Sequence, residues 1–320
     1  MPRLLVVLAA AALGLATSAA AHAQALVTAD WLKANLTNPA VAVIDLREDK
    51  AKFEAGHIPG SILTNFRTAG WVVKNAAGVD GMLPEPTKLE ALISNLGIDN
   101  DNHVIVVGEG STANSMAPAT RLYWTFKVLG HDKVSVLDGG FAGWVRVVDA
   151  TTKKPVNPLA TGPYKPRQAA LFAAKPRLHM IADLAEVEAA RTSGVPLVDL
   201  RDSEFHLGFK KSGVARVAGT IPGAVSLPEG WMMKNGGGTF RSKAELETVY
   251  GYARLATSGR QIAFCNTGTS ASLGWFVAHE IMGNREARLY DGSMAEWAKD
   301  ASRPVEQKFK PDCPKETRCS

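Results

Sequence analysis

This sequence predicts an α/β protein of two tandem domains, each a mostly parallel sheet with helices on both faces. Three observations predict it. The first is a repeat. Val43-Ile44-Asp45-Leu46-Arg47 returns as Leu197-Val198-Asp199-Leu200-Arg201, and Gly56-His57-Ile58-Pro59-Gly60 returns as Gly219-Thr220-Ile221-Pro222-Gly223. Leu137-Asp138-Gly139-Gly140, closing at Trp144, returns as Tyr290-Asp291-Gly292-Ser293, closing at Trp297. The offsets are 154, 163 and 153 residues, so order and spacing both hold. That is duplication of a domain, not a short solenoid period. The second observation is that short β-branched runs alternate with helical patterns, the signature of a parallel sheet covered on both sides. The third is size. A chain of 320 residues, 46% of them apolar, exceeds one ordinary domain and can fill two cores.

Taken in order, residues 1–23 read as an export signal. Arg3 and the terminal amine supply charge, Leu4 to Ala16 form an apolar run, and Ala21-His22-Ala23 offers a small-residue cleavage site. Ala23-Gln24-Ala25 offers a second, so the cut falls at Ala23 or Ala25. The run is about 13 residues against the roughly 20 that a spanning helix needs, which favours cleavage over a membrane anchor. The expected location is periplasmic or secreted, with no membrane contact after cleavage. Residues 26–150 form the first copy, with strands at Val41–Asp45, Val104–Val107 and Val134–Leu137 and helices at Lys88–Leu96 and Pro118–Leu129. Residues 151–177 carry Pro155, Pro158, Pro163, Pro166 and Pro176, which predicts an extended connector. The second copy spans 178–302, and 303–320 form a tail.

The net charge of +5 comes without a dense basic cluster. It fits attraction of small anions and excludes a nucleic-acid face, which concentrates its basic residues. No cysteine and histidine cluster has metal-ligand spacing and no glycine-rich phosphate loop follows a first strand, so no metal or cofactor is expected. Of three cysteines, Cys313 and Cys319 lie in the tail, where an oxidising compartment would pair them. Cys265 is then left alone.

Cys265 follows the apolar run Gln261-Ile262-Ala263-Phe264 and opens the small-residue loop Asn266-Thr267-Gly268-Thr269-Ser270, ahead of a helix expected over Ala271 to Met282. Catalytic groups in parallel sheets collect at the carboxyl ends of strands. Free backbone N–H groups and the positive helix end are expected there to depress the thiol pKa. Gly268 allows a tight turn, and small neighbours let amides point inward as an anion nest. A cysteine phosphatase is excluded because Ala271 stands six positions after Cys265, where that chemistry needs an arginine to grip phosphate. An inert buried cysteine is the plain structural alternative.

The set of Asp-x-Arg, Gly-His-Ile-Pro-Gly, a cysteine loop and Asp-Gly-Gly/Ser…Trp, repeated, resembles the two-domain rhodanese family of thiosulfate and 3-mercaptopyruvate sulfurtransferases. The resemblance covers nearly all of residues 26–300 and includes the family's C-x-x-G-x-[ST]-A pattern over Cys265 to Ala271. It implies a silent first copy and a catalytic second one, with Cys265 taking a sulfur as a persulfide and passing it on in a ping-pong cycle. The partners implied are a small sulfur donor and a thiophilic acceptor: cyanide, sulfite, a thiol or a thioredoxin-like protein. A rhodanese-fold module that carries or binds sulfur without turnover is the alternative. Asn266 and Thr267 are neutral, as in mercaptopyruvate enzymes, where Thr267 would replace a relaying serine and His57 would join it across the domain interface. His57 reads equally as a structural cap. Asn266, Gly268, Thr269 and Ser270 would line the donor site. The arginine that grips the mercaptopyruvate carboxylate has no counterpart in Asp202 to Gly208, which leaves Arg216, Lys210 or Lys211 as substitutes. Asp45, Asp199, Arg47 and Arg201 read as structural ion pairs and Trp144 and Trp297 as core, because both copies have them.

Overall fold

The computed structural model describes residues 24–309. The expected export segment, Cys313 and Cys319 lie outside those residues. Each copy holds a five-stranded sheet. The first is built from β1 (Leu26–Val27), β2 (Val41–Asp45), β3 (Ile62–Leu63), β4 (His103–Val107) and β5 (Val134–Leu137). The second uses β6 (Ile181–Ala182), β7 (Leu197–Asp199), β8 (Val225–Ser226), β9 (Gln261–Phe264) and β10 (Ala287–Tyr290). The strand orders are β1-β5-β4-β2-β3 and β6-β10-β9-β7-β8, the same permutation twice. Every pairing between these strands is parallel. The central strands β4 and β9 are buried almost throughout, as apolar strands covered on both faces must be.

Two helices join the copies. One, Ala113–Val128, leaves β4 and is buried over most of its length. It begins five residues before the predicted Pro118, because Thr112 accepts from the Ser115 amide and the Ser115 side chain answers in a capping box. Pro118 therefore lies inside the helix, not at its start. The other, Thr269–Phe276, leaves β9 and runs on into a π-helical turn, Val277–Ile281. The two helices pack together through a Thr120–Ser272 hydroxyl bond of 2.8 Å and an edge-on Tyr123–Phe276 contact.

The connector between the copies runs along the first domain: Ala170 and Phe172 bond Ser94, Ala173 bonds Asn100, and Lys175 bonds Leu129. The Trp144 indole donates to the Pro158 carbonyl and the Trp297 indole to that of Pro304. Each tryptophan thus fills a core and ties down the segment that leaves its domain. Among the described residues no helix is long and apolar enough to cross a membrane.

Candidate active site

Cys265 stands at the carboxyl end of β9 and is 2% exposed. The helix after it begins at Thr269, two residues earlier than the predicted Ala271, so the loop proper is Cys265 to Gly268. Gly268 makes the turn at φ 75°, and a side chain there would collide with Arg121 and Asp291. Thr269 and Ser270 form the first helical residues instead of extending the loop. Two backbone N–H groups, of Ala271 and Thr267, face the Cys265 sulfur.

Those amides do not win. Burial pushes the Cys265 thiol up from its ordinary value, more than the Ala271 and Thr267 amides bring it down, and the Glu229 charge pushes it further while Arg201 opposes. The expected depression is thus reversed: a fully enclosed sulfur loses more hydration than two partial charges return.

Ser293 holds the loop. Its hydroxyl accepts from the amides of Cys265 (3.1 Å) and Gly268 (3.0 Å) and donates to the Tyr290 carbonyl. Ser293 keeps φ at +49°, a region where the first copy uses Gly140 at +56°. From the first domain comes Arg121, wholly buried. It donates to the Gly268 and Gly81 carbonyls, both at 3.2 Å, and pairs with Asp291. The other Asp291 oxygen accepts from the Leu83 amide. Gly81 presses on Thr267 so closely that a β-carbon at 81 would lie 2.8 Å from it. None of these residues stood out as functional in the sequence, although the exchange of Gly140 for Ser293 between copies marked one.

The other predicted residues divide. Asn266 faces Arg201, whose guanidinium reaches its Oδ1 at 3.5 Å, and Ser270 lies against the Glu229 carboxyl. His57 is not brought to Cys265 by any hydrogen bond. Its Nδ1 faces the Phe53 carbonyl at 3.0 Å, its ring stacks on Phe53, and its backbone pairs with Ala160 of the connector. Thr220 pairs with Glu306 of the tail in the same way, so this position anchors the segment leaving each domain. Arg216 is exposed and its charge falls on Asp300, and Lys210 pairs weakly with Glu204. Lys211 bonds the Ala215 carbonyl. None of these three cations bonds the Cys265 loop. Arg201 and Arg47 form the structural pairs expected, with Asp199 and Asp45, and each also bonds a glycine carbonyl, Gly219 or Gly56.

The first copy has no cysteine at the matching place. The Gly108 carbonyl accepts from the Phe141 amide and that of Glu109 from Ala142, just as Cys265 accepts from Met294 and Asn266 from Ala295. Gly108 therefore occupies the place of Cys265. The exposed Glu109 carboxylate accepts from the Ser111 amide and hydroxyl. A cavity of about 590 Å³ above it is lined by Arg47, Lys52, Glu109 and Phe141 among others.

The model of the rhodanese-like domain matches this chain twice, over residues 28–147 and 183–300. The chain belongs to the rhodanese family. Rhodanese-family relatives provisionally named thiosulfate sulfurtransferase include one from Mycobacterium bovis, 32% identical over 89% of this chain and 99% of the relative. Another, from Saccharopolyspora erythraea, is 33% identical over 88% and 96%. Among solved structures, SseA of Escherichia coli, described for the fold and mechanism of 3-mercaptopyruvate sulfotransferases, superposes with a TM-score of 0.70. It is 24% identical over 84% of this chain and 98% of its own. Tum1 of Saccharomyces cerevisiae gives 0.72 at 21% identity, covering 90% and 99%. This rhodanese is accordingly a two-domain sulfurtransferase whose single loop cysteine lies in the second domain.

Proposed function

We propose that the protein moves a sulfane sulfur from thiosulfate or 3-mercaptopyruvate to a thiophilic acceptor through a persulfide on Cys265. The observation that carries this is the enclosed sulfur of Cys265, at a strand end, with the Thr267 and Ala271 amides aimed at it. The thiol first gives up its proton to solvent or donor. The thiolate then attacks the outer sulfur of thiosulfate, the S–S bond breaks, and sulfite leaves with the bonding pair. With 3-mercaptopyruvate the C–S bond breaks instead, and the thiol proton ends on the pyruvate methyl. The resulting Cys–S–S⁻ places its charge on the loop amides, which serve it better than they serve the more deeply buried thiolate. Cyanide, sulfite, a thiol or a thioredoxin-like protein then attacks the outer sulfur and regenerates Cys265.

The burial of Cys265 favours small donors over a sulfur-carrying module that exchanges only with proteins. The neutral pair Asn266 and Thr267 supports mercaptopyruvate, and the names of the relatives support thiosulfate. The amino-terminal residues support export ahead of this work. Cys265→Ser tests the central reading: transfer from either donor is lost while circular dichroism and thermal melting match the parent. Substantial turnover by that variant sinks it. Intact-mass analysis after donor treatment should show one added sulfur in the parent and none in Cys265→Ser.

A further inference from the structure

Glu229 is a buried carboxyl beside the Cys265 loop for which sulfur transfer has no obvious use. It opens a short 3-10 turn, Glu229–Met232, and is 7% exposed. Asn114 of the first domain donates to Oε1 at 3.0 Å, while Oε2 is enclosed and has no hydrogen-bond partner among the described residues. Burial pushes this carboxyl above its ordinary value, and Ser270 and Asn114 only partly oppose that. Its charge in turn bears on Cys265. An enclosed acceptor left unpartnered in the resting protein points to a group present only in another state, because such atoms are rare and costly.

We propose that Glu229 is a specificity-determining residue of the Cys265 site, admitting dianionic sulfur donors while neutral and disfavouring them once ionised. The inference rests on the reading of Cys265 given above. A second negative charge in the same low-dielectric space opposes both an incoming dianion and the Cys265 thiolate. A neutral carboxyl carries no such charge and has an O–H to donate.

Few other charges face it. Asp202 pushes Glu229 further up, and Arg201, which meets Asn266 at 3.5 Å, acts on Cys265. The Ala113–Val128 helix offers Asn114, while its Arg121 is bound to Asp291 and its Lys127 to Asp132. The Thr269–Phe276 helix has no ionisable residue. On the Lys243–Tyr252 helix, Glu245 is engaged by Ser242 and Arg241, Tyr250 is held neutral by burial, and Lys243 and Glu247 are exposed. Lys234, on the next turn, acts on Asp138 and Glu245.

The test is the ratio of kcat/KM for thiosulfate, a dianion, to that for an aryl thiosulfonate, a monoanion, measured against pH. Titration of Cys265 cancels in this ratio because both donors meet the same thiol. In the parent the ratio should fall as pH rises through the Glu229 titration, by on the order of tenfold, the effect of one pKa unit of coupling. In Glu229→Gln, which keeps the oxygen that Asn114 holds, the ratio should be flat and the Cys265 alkylation profile should move to lower pH. A flat ratio in the parent overturns the proposal even if the variant fails to fold. So does a variant whose ratio and alkylation profile both match the parent. If Cys265→Ser keeps activity, the reading of the site has failed instead, whatever Glu229 does.

Discussion

Ser293 carries more of the site than its size suggests. It holds a left-handed backbone that costs a non-glycine residue on the order of 1–2 kcal/mol, and in return one hydroxyl satisfies the Cys265 and Gly268 amides. Removing that oxygen leaves two buried donors unpaired. Ser293→Ala should therefore lose about 2 kcal/mol or more in urea unfolding and drop kcat/KM as the loop loosens. Ser293→Gly relieves the strain and should regain part of the stability with none of the activity. Equal stability of the two variants would show that the backbone strain is unimportant. Gly81 is the complementary case, at φ +81° and in contact with Thr267. Gly81→Ala should displace the Cys265 loop and lower kcat/KM while far-ultraviolet circular dichroism stays unchanged.

At the scale of elements, the Ala113–Val128 helix ties the first domain to the Cys265 loop. Its Arg121 reaches across to Asp291 and the Gly268 carbonyl, and Thr120 meets Ser272 one turn away. Truncating one partner of a buried pair leaves the other charge uncompensated, at about 3–5 kcal/mol. Arg121→Met should cost that much in unfolding free energy and impair transfer. The double variant Arg121→Met with Asp291→Asn should be more stable than the single one, since no buried charge is then left alone. A double-mutant cycle on chemical denaturation measures the difference; strict additivity would remove Arg121 from its assigned role.

Across the whole molecule, stability should fall in acid through a few carboxylates. Burial pushes Asp199 up, yet Arg201, His206 and Thr220 outweigh it and bring the group down to about 2. Glu280 behaves alike: burial raises it, but His279, Lys127 and Arg285 hold it at about 2. Asp132, which takes Arg177 and Lys127, lies below its ordinary range because of those two partners. A depressed folded pKa stabilises above the unfolded value of about 4 and is lost as pH falls toward the folded value. Each shift of about two units corresponds to about 2–3 kcal/mol. Urea midpoints should hold near pH 6 and drop steeply between about pH 4 and 2. Asp199→Asn should start less stable and show a shallower drop. An unchanged slope would mean that Asp199 does not carry its share.

The sequence by itself determined the duplicated α/β architecture, the strands and the cysteine loop, because these follow from local pattern. β-branched runs at β2, β4 and β5 recur with Asp-x-Arg and Asp-Gly at constant spacing, and a small-residue loop after a buried strand has few other uses. The Ala113–Val128 helix start was missed because Pro118 masks a capping box that only hydrogen-bond geometry reveals. What tertiary structure decided is everything that depends on burial and on contacts between residues far apart in the chain. It decided that the Cys265 thiol is pushed up and not down, since the desolvation of an enclosed sulfur cannot be read from the amides beside it. It set His57 against Phe53 and Ala160, and it brought Arg121, Gly81 and Asn114 of one copy against Gly268, Thr267 and Glu229 of the other. Those pairs lie more than a hundred residues apart in the chain, and no local propensity connects them.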